Sequence, residues 1–225
     1  MPFAERLNNF SAQQRRNYRK VFCFDGRGGY AIKKTLRKTT AMISALALII
    51  LPFGSHLAVA QNVLPQGGSV AAGSATINQP SASALTINQS SARAIINWNS
   101  FSVGQPNSVT FYQPNSSSAT LNRVTGSTPS SIAGQLSGNG QIYLVNPNGI
   151  AITPSGTVTV GGGFVASTLD IGNTDFMAGN LVFRGNGASG AVSNQGTINV
   201  GPGGFAALLG GSVSNTGTIT MTSIT

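Results

Sequence analysis

Beyond residue 60 the chain has no cysteine, histidine, lysine or glutamate. Its one Cys and one His, Cys23 and His56, lie upstream. Each absence closes a route. No disulfide can staple this segment, although an exported protein would be allowed one. Without Cys, His or clustered carboxylates no zinc ligand set can be built. A Ser–His–Asp or Cys–His nucleophile cannot be assembled either. Helix formers are scarce, and no long 3.6-residue periodicity appears. Two acids remain, Asp170 and Asp175. Paired carboxylates can cleave glycosidic bonds. Both lie near Gly172-Asn173, where Asp serves as a turn residue, so they are read as turn formers. The expectation is therefore no catalytic residue, no metal, no cofactor and no enzyme.

The formal net charge of +9 belongs to the start of the chain. Residues 1–38 hold ten of the thirteen Lys and Arg. After Ala60 only Arg93, Arg123, Arg184, Asp170 and Asp175 are charged. A nucleic-acid partner thus loses its electrostatic support. The basic stretch ends in Lys33-Lys34-Thr35-Leu36-Arg37-Lys38 and is followed by an apolar run over residues 41–51. That run is short for a bilayer span and right for the core of a signal peptide. Ala58-Val59-Ala60 places small residues where a signal peptidase reads them. Residues 1–60 are therefore read as an extended signal peptide, cleaved after Ala60, and residues 61–225 as the working segment.

That segment holds 25 Gly and 17 Asn among many Ser, Thr, Val and Ile. Short β-branched runs alternate with Gly/Asn turns, which predicts an all-β fold. Repeats sharpen the prediction. Ser193-Asn194-Gln195-Gly196-Thr197-Ile198-Asn199-Val200 recurs 21 residues later as Ser214-Asn215-Thr216-Gly217-Thr218-Ile219-Thr220-Met221. Ser155-Gly156-Thr157-Val158-Thr159-Val160-Gly161 matches the string from Gln195 at an offset of 40, close to two periods. Each match is followed by a Phe, Phe164 or Phe205.

A period near 20 fits one coil of a parallel β-helix. A β-sandwich would also give evenly spaced strands, but not the same string one coil apart. Within a coil, Ile198 and Val200 would point inward and stack near Ile219 and Met221, with Thr197 and Asn199 outward. Asn194 and Asn215 would form an amide ladder at a turn. Residues 63–88 differ. Ala75-Thr76-Ile77-Asn78-Gln79 and Leu85-Thr86-Ile87-Asn88-Gln89 lie ten residues apart around Pro80, as a hairpin or as two early strands. An open β-helix end exposes backbone and apolar interior, so this N-terminal region is assigned as the cap.

Four blocks carry a family resemblance. Ile95-Ile96-Asn97-Trp98-Asn99-Ser100-Phe101-Ser102-Val103-Gly104 is one, in which Trp98 and Phe101 are read as core residues. Val109-Thr110-Phe111 through Asn122-Arg123-Val124-Thr125-Gly126 is the second. The third, residues 132–150, ends with the apolar run Ile142-Tyr143-Leu144-Val145 and the turn Asn146-Pro147-Asn148-Gly149. Pro fixes φ and Asn-Gly accepts positive φ, so the chain can reverse there. Phe164-Val165-Ala166-Ser167-Thr168-Leu169-Asp170-Ile171 is the fourth. In order and spacing these resemble the N-terminal two-partner-secretion domain of the filamentous haemagglutinin family. The upstream NPNL turn of many members is replaced here by Gln113-Pro114-Asn115-Ser116.

The resemblance implies a right-handed parallel β-helix and a route out of the cell. Inner-membrane export and signal peptidase come first. A dedicated outer-membrane β-barrel transporter then recognises the module with its periplasmic domains while the chain is unfolded. The module folds at the surface of a Gram-negative cell and templates the β-helix behind it. Asn122 and Asn146 to Gly149 are the residues it suggests for recognition. The full exoprotein would be an adhesin, haemagglutinin or contact-dependent toxin meeting host or neighbouring cells. Modules of this kind run longer, so a C-terminally incomplete module is expected. The alternatives are a stand-alone β-helical surface adhesin and a polysaccharide-acting β-helix enzyme.

Overall fold

The computed structural model describes residues 63–222 apart from 186, 188 and 189. The signal-peptide reading of residues 1–60, with Ala58 and Ala60, lies outside the described residues. In the described part the β-branched runs form strands and the Gly/Asn clusters form the corners between them. The described part opens with β1 (Ser69–Ala72) and β2 (Ala75–Ser81), then winds through β3 (Ala84–Gln89), β4 (Arg93–Trp98), β5 (Ser108–Tyr112), β6 (Ala119–Val124), β7 (Ser130–Ile132), β8 (Gln135–Gly138), β9 (Gln141–Val145), β10 (Ile150–Ile152), β11 (Thr157–Val160) and β12 (Gly163–Ser167). After an excursion of β13 (Asp170–Ile171), helix α1 (Asn173–Ala178) and β14 (Phe183–Arg184), it resumes with β15 (Ala191–Asn194), β16 (Thr197–Val200), β17 (Phe205–Leu209), β18 (Ser212–Asn215) and β19 (Thr218–Met221).

Successive coils stack in parallel to give three faces and about six turns. One face runs β3-β5-β8-β11-β16-β19, the second β4-β6-β9-β12-β17 and the third β7-β10-β15-β18. The repeat string sets the register. Thr197, Ile198, Asn199 and Val200 pair with Thr218, Ile219, Thr220 and Met221. The ladder forms too: Asn194 Nδ2 donates to Asn215 Oδ1 at 2.8 Å. Inside the first face Leu85, Val109, Leu136, Val158, Ile198 and Ile219 lie in one column.

The 40-residue offset has a different meaning from the one the repeat suggests. Thr157 pairs directly with Thr197, so β11 and β16 are neighbours. The interval is one coil lengthened by the excursion, because a repeated string fixes register but does not count the chain between its copies. Phe164 and Phe205 also fall out of step. Phe205 pairs with Gly163 and Phe164 with Ala206. This shift of one residue turns the two rings to opposite sides of the sheet. Phe164 enters the interior cluster, whereas Phe205 joins the outer one.

The first face alternates buried and open positions, as at β16 and β11. The second face is buried on both sides, most completely at β12. Its outer side carries Ile95, Leu121, Tyr143 and Val165 and is covered by the excursion. Among the described residues, helix α1 departs from the all-β expectation. Gly179 ends it at φ +86°, with the Gly179 and Asn180 N–H groups closing on the Phe176 and Asp175 carbonyls. The tertiary contact rather than propensity holds it: Phe176 is fully buried and meets the Tyr143 ring edge-on at 5.3 Å.

At the N-terminal end both large faces finish in antiparallel strands. Strand β1 pairs with β4, and β2 forms a hairpin with β3 through Ala75↔Gln89 and Ile77↔Ile87. Ala75 and Ile77 pack on the interior apolar cluster. An antiparallel strand need not continue the winding, so it closes the stack where another coil would extend it.

The inward and outward positions of one coil should respond very differently to truncation. Ile198→Ala should cost about 2–5 kcal/mol through the cavity it opens, while Asn199→Ala stays within about 0.5 kcal/mol. Urea denaturation of the two variants reads the difference.

Candidate functional site

The apolar run of β9 delivers the chain to Asn146-Pro147-Asn148-Gly149, and β10 carries it away. The Gly149 N–H donates to the Asn146 carbonyl at 3.1 Å and closes the turn. Gly149 sits at φ +120°, a conformation that L side chains resist. Asn146 is fully buried. Its Nδ2 donates to the Thr128 carbonyl at 3.0 Å and to Ser130 Oγ at 2.9 Å. Its Oδ1 accepts the backbone N–H and the Nδ2 of Asn148, both at 3.0 Å. Its own N–H donates to the Ser167 carbonyl at 2.9 Å. In the folded protein Asn146 is thus satisfied internally and ties three coils together. Pro147 is half-buried and Asn148 is exposed. Asn148 Nδ2 also donates to the Gly126 carbonyl at 2.9 Å.

Beside this turn lies an open groove of about 510 Å³ whose lining includes Arg123, Thr125, Gly126, Pro147, Asn148 and Asp170. Arg123 forms its wall. Its Nε donates to Asp170 Oδ1 at 2.9 Å, Nη1 to Asn173 Oδ1 at 2.7 Å and Nη2 to the Ile171 carbonyl at 2.5 Å. One guanidinium therefore clamps the root of the excursion to β6. The sequence, with Arg123 beside Asn122 in a family-like block, points to a structural hydrogen-bonding role, and the structure places one there. The partners were not legible, since they stand 47 to 50 positions away with no local pattern joining them. Asp170 opens β13 and Asp175 lies in the first turn of α1, so neither occupies a plain turn. Asp175 pairs with Arg184 at 3.2 Å. The two acids are committed to separate cations.

The other marked residues sit inside the coils. Asn122 is fully buried; its Oδ1 accepts the Trp98 indole N–H at 3.0 Å. Trp98 meets Phe101 edge-on at 5.5 Å. In the Gln113-Pro114-Asn115-Ser116 stretch, Gln113 is buried and the next three are exposed. Gln113 Nε2 donates to the Ser118 and Gln141 carbonyls and to Thr120 Oγ1, each at 3.1 Å. Asn115 Oδ1 accepts the Ser117 and Ser118 N–H groups at 3.0 and 3.1 Å, so this turn has its own side-chain staple.

Tyr143 is a titratable group that the fold perturbs. Burial raises its pKa above 10.0, opposed by the nearby Arg93 charge. Its OH donates to Gln141 Oε1 at 3.0 Å.

Among the described residues no group of three or more His, Cys, Asp or Glu is placed to hold a metal ion. The model of the TPS secretion domain family matches residues 61–224. Two heme/hemopexin-binding proteins of Haemophilus influenzae are 40% and 38% identical to the chain over 131 and 130 residues. Each alignment takes in 57% of this chain and 14% of the relative. The crystal structure of the HMW1 secretion domain from Haemophilus influenzae has a TM-score of 0.64 at 40% identity, covering 70% of this chain and 42% of that chain. The chain thus aligns with only a small part of the length of these curated relatives.

Two outcomes test the site. Asn146→Ala orphans buried partners and should cost about 1–3 kcal/mol, whereas Asn148→Ala should cost about 1 kcal/mol or less; thermal melts of both variants check this. The folded state holds the Tyr143 proton more tightly than the unfolded state, so its contribution is full below pH 10 and disappears as pH rises through the folded pKa. The urea midpoint should fall above about pH 10, and Tyr143→Phe should flatten that fall.

Proposed function

The chain belongs to the TPS secretion domain family, and we propose that it is the N-terminal secretion module of a large exoprotein, read by a cognate outer-membrane β-barrel transporter. The family is one of secretion modules, not of enzymes. Residues 1–60 serve as an extended signal peptide that inner-membrane export uses and signal peptidase removes after Ala60. The module crosses the periplasm unfolded, meets the transporter's periplasmic domains, and folds at the cell surface. There its coils template those that follow. The exoprotein then acts as an adhesin, haemagglutinin or contact-dependent toxin on host or neighbouring cells. What the relatives bind is a property of whole proteins of which the matched stretch is 14%, so it is not carried over.

The burial of the motif carries the reading. Asn146, Gly149 and Asn122 are buried in the fold, and only Pro147 and Asn148 reach the surface. A transporter that reads Asn122 and Asn146 must therefore do so before the module folds. The same side chains then act a second time, as the polar anchors of the folded coils. The rest of the segment suits passage through a pore: five charged residues in 61–225 and no cysteine. Gln113-Pro114-Asn115-Ser116 offers a second exposed turn for recognition. A stand-alone surface adhesin would not require a transporter. The polysaccharide-enzyme alternative loses its paired acids to Arg123 and Arg184.

Secretion of the 225-residue chain from cells with and without the barrel transporter tests this directly. Wild type should reach the medium only with the transporter. Asn146→Ala should lower that amount several-fold, and Asn199→Ala should leave it unchanged. Equal export without the transporter would contradict the reading and leave a surface protein that travels alone.

A further inference from the structure

Strand β6 departs from its neighbours. On the second face the inward positions of β9, β12 and β17 are Ile142 and Leu144, Phe164 and Ala166, and Ala206 and Leu208. Those of β4 are Ala94, Ile96 and Trp98. In β6 the same columns hold Thr120 and Asn122, both fully buried. Two polar side chains thus stand inside an apolar stack where every other coil places an apolar one.

Apolar burial on the inward side leaves the register of β6 open, because that side offers Thr120 and Asn122. Arg123 fixes which side faces out, since its charge cannot enter the interior. A slide by two residues keeps every side chain on its own side of the sheet. On the outer side it is opposed by Leu121 and by the Arg123 contacts with Asp170, Asn173 and the Ile171 carbonyl, while on the inward side only polar contacts oppose it. The flanking stretches Gln113-Pro114-Asn115-Ser116-Ser117-Ser118 and Thr125-Gly126-Ser127-Thr128-Pro129 are polar, so they could take up two residues without burying or exposing apolar surface.

The polar contacts do distinguish the registers. Thr120 Oγ1 donates to Gln89 Oε1 of the preceding coil and accepts Gln113 Nε2 at 3.1 Å. Asn122 Oδ1 accepts the indole N–H of Trp98, also of the preceding coil, at 3.0 Å. Gln113 reaches the following coil as well, through the Gln141 carbonyl at 3.1 Å and the Gly140 N–H at 2.9 Å. Any slide orphans buried polar groups on three coils at once, each reducing the slipped population roughly tenfold.

We infer that Thr120 and Asn122, with Gln89, Gln113 and Trp98, form a register lock that sets the second coil on the first and the third on the second. They are positioning residues, and they specify one stack at no gain in apolar burial. The consequence for export rests on the reading above that later coils copy the first ones. The lock itself does not.

The chain has one tryptophan, so its indole N–H gives one NMR resonance for each register present. Registers interchange only by unpairing strands, so their resonances stay separate. In the full chain, Thr120→Val/Asn122→Leu should keep the β spectrum by circular dichroism with a lowered urea midpoint, because Gln89 Oε1 and the Trp98 N–H lose their partners, yet show two or more indole resonances. Wild type and Asn194→Val, which breaks the distal amide ladder, should show one. Thr120→Val alone keeps the Asn122–Trp98 bond and should show a second resonance, weaker than in the double variant. A single indole resonance in the double variant would overturn the lock. If the double variant does not fold, Thr120→Val decides on the same readout, a single resonance overturning the lock. Refolding here uses no transporter, so failure of the lock is read separately from failure of transporter-dependent secretion.

Discussion

Everything in this protein depends on the parallel ladder between one coil and the next. No coil can satisfy its own backbone groups; its strand N–H and C=O groups bond the coils before and after it. Side chains then stack in the same order as the backbone, which is why Leu85, Val109, Leu136, Val158 and Ile198 make one aliphatic column. The corners must be as close as the strands. A Cβ added at Gly196 would lie 2.3 Å from the Gly156 carbonyl oxygen, and one at Gly217 would lie 2.2 Å from that of Gly196. The glycine of the repeated string is thus a packing requirement of coil on coil. The antiparallel cap follows from the same constraint, because a ladder that repeats itself must be stopped by a strand that does not continue it.

The second face shows what happens when a sheet is apolar on both sides. Its outer surface cannot face water, so the third full coil sends out a loop that returns to cover it. Phe176 supplies the ring, Arg93 lies 5.4 Å above that ring, and Arg123 ties down the base of the loop. The groove beside the NPNG turn lies between this clamp and the turn itself. The residues proposed for recognition are therefore also structural anchors of the folded coils.

Much of this was legible in the sequence, and the limits were physical. The strings around Ile198 and Ile219 revealed the fold and the register, because identical side chains must stack. The hairpin at Ala75 and Leu85 was one of two readings, and pairing with a neighbouring coil decided between them. The excursion was not legible: Asn173–Ala178 is a poor helix by propensity and forms only because Phe176 finds a pocket over Tyr143. For the same reason the 40-residue offset concealed one long coil. The NPNG turn could be read locally from Pro147 and Gly149. The burial of Asn146 could not, since Thr128, Ser130 and Ser167 come from other strands and loops.

A single side chain such as Asn146 cannot serve as an exposed ligand and a buried anchor at once, so the two roles must be separated in time. That ordering is the centre of the account. It is tested most directly by measuring binding of the transporter's isolated periplasmic domains to the chain in two states, folded and held unfolded by a core substitution such as Ile198→Asp. The account predicts binding to the unfolded chain, lost with Asn146→Ala, and at least roughly tenfold weaker binding to the folded module. Equal or tighter binding to the folded module would contradict it.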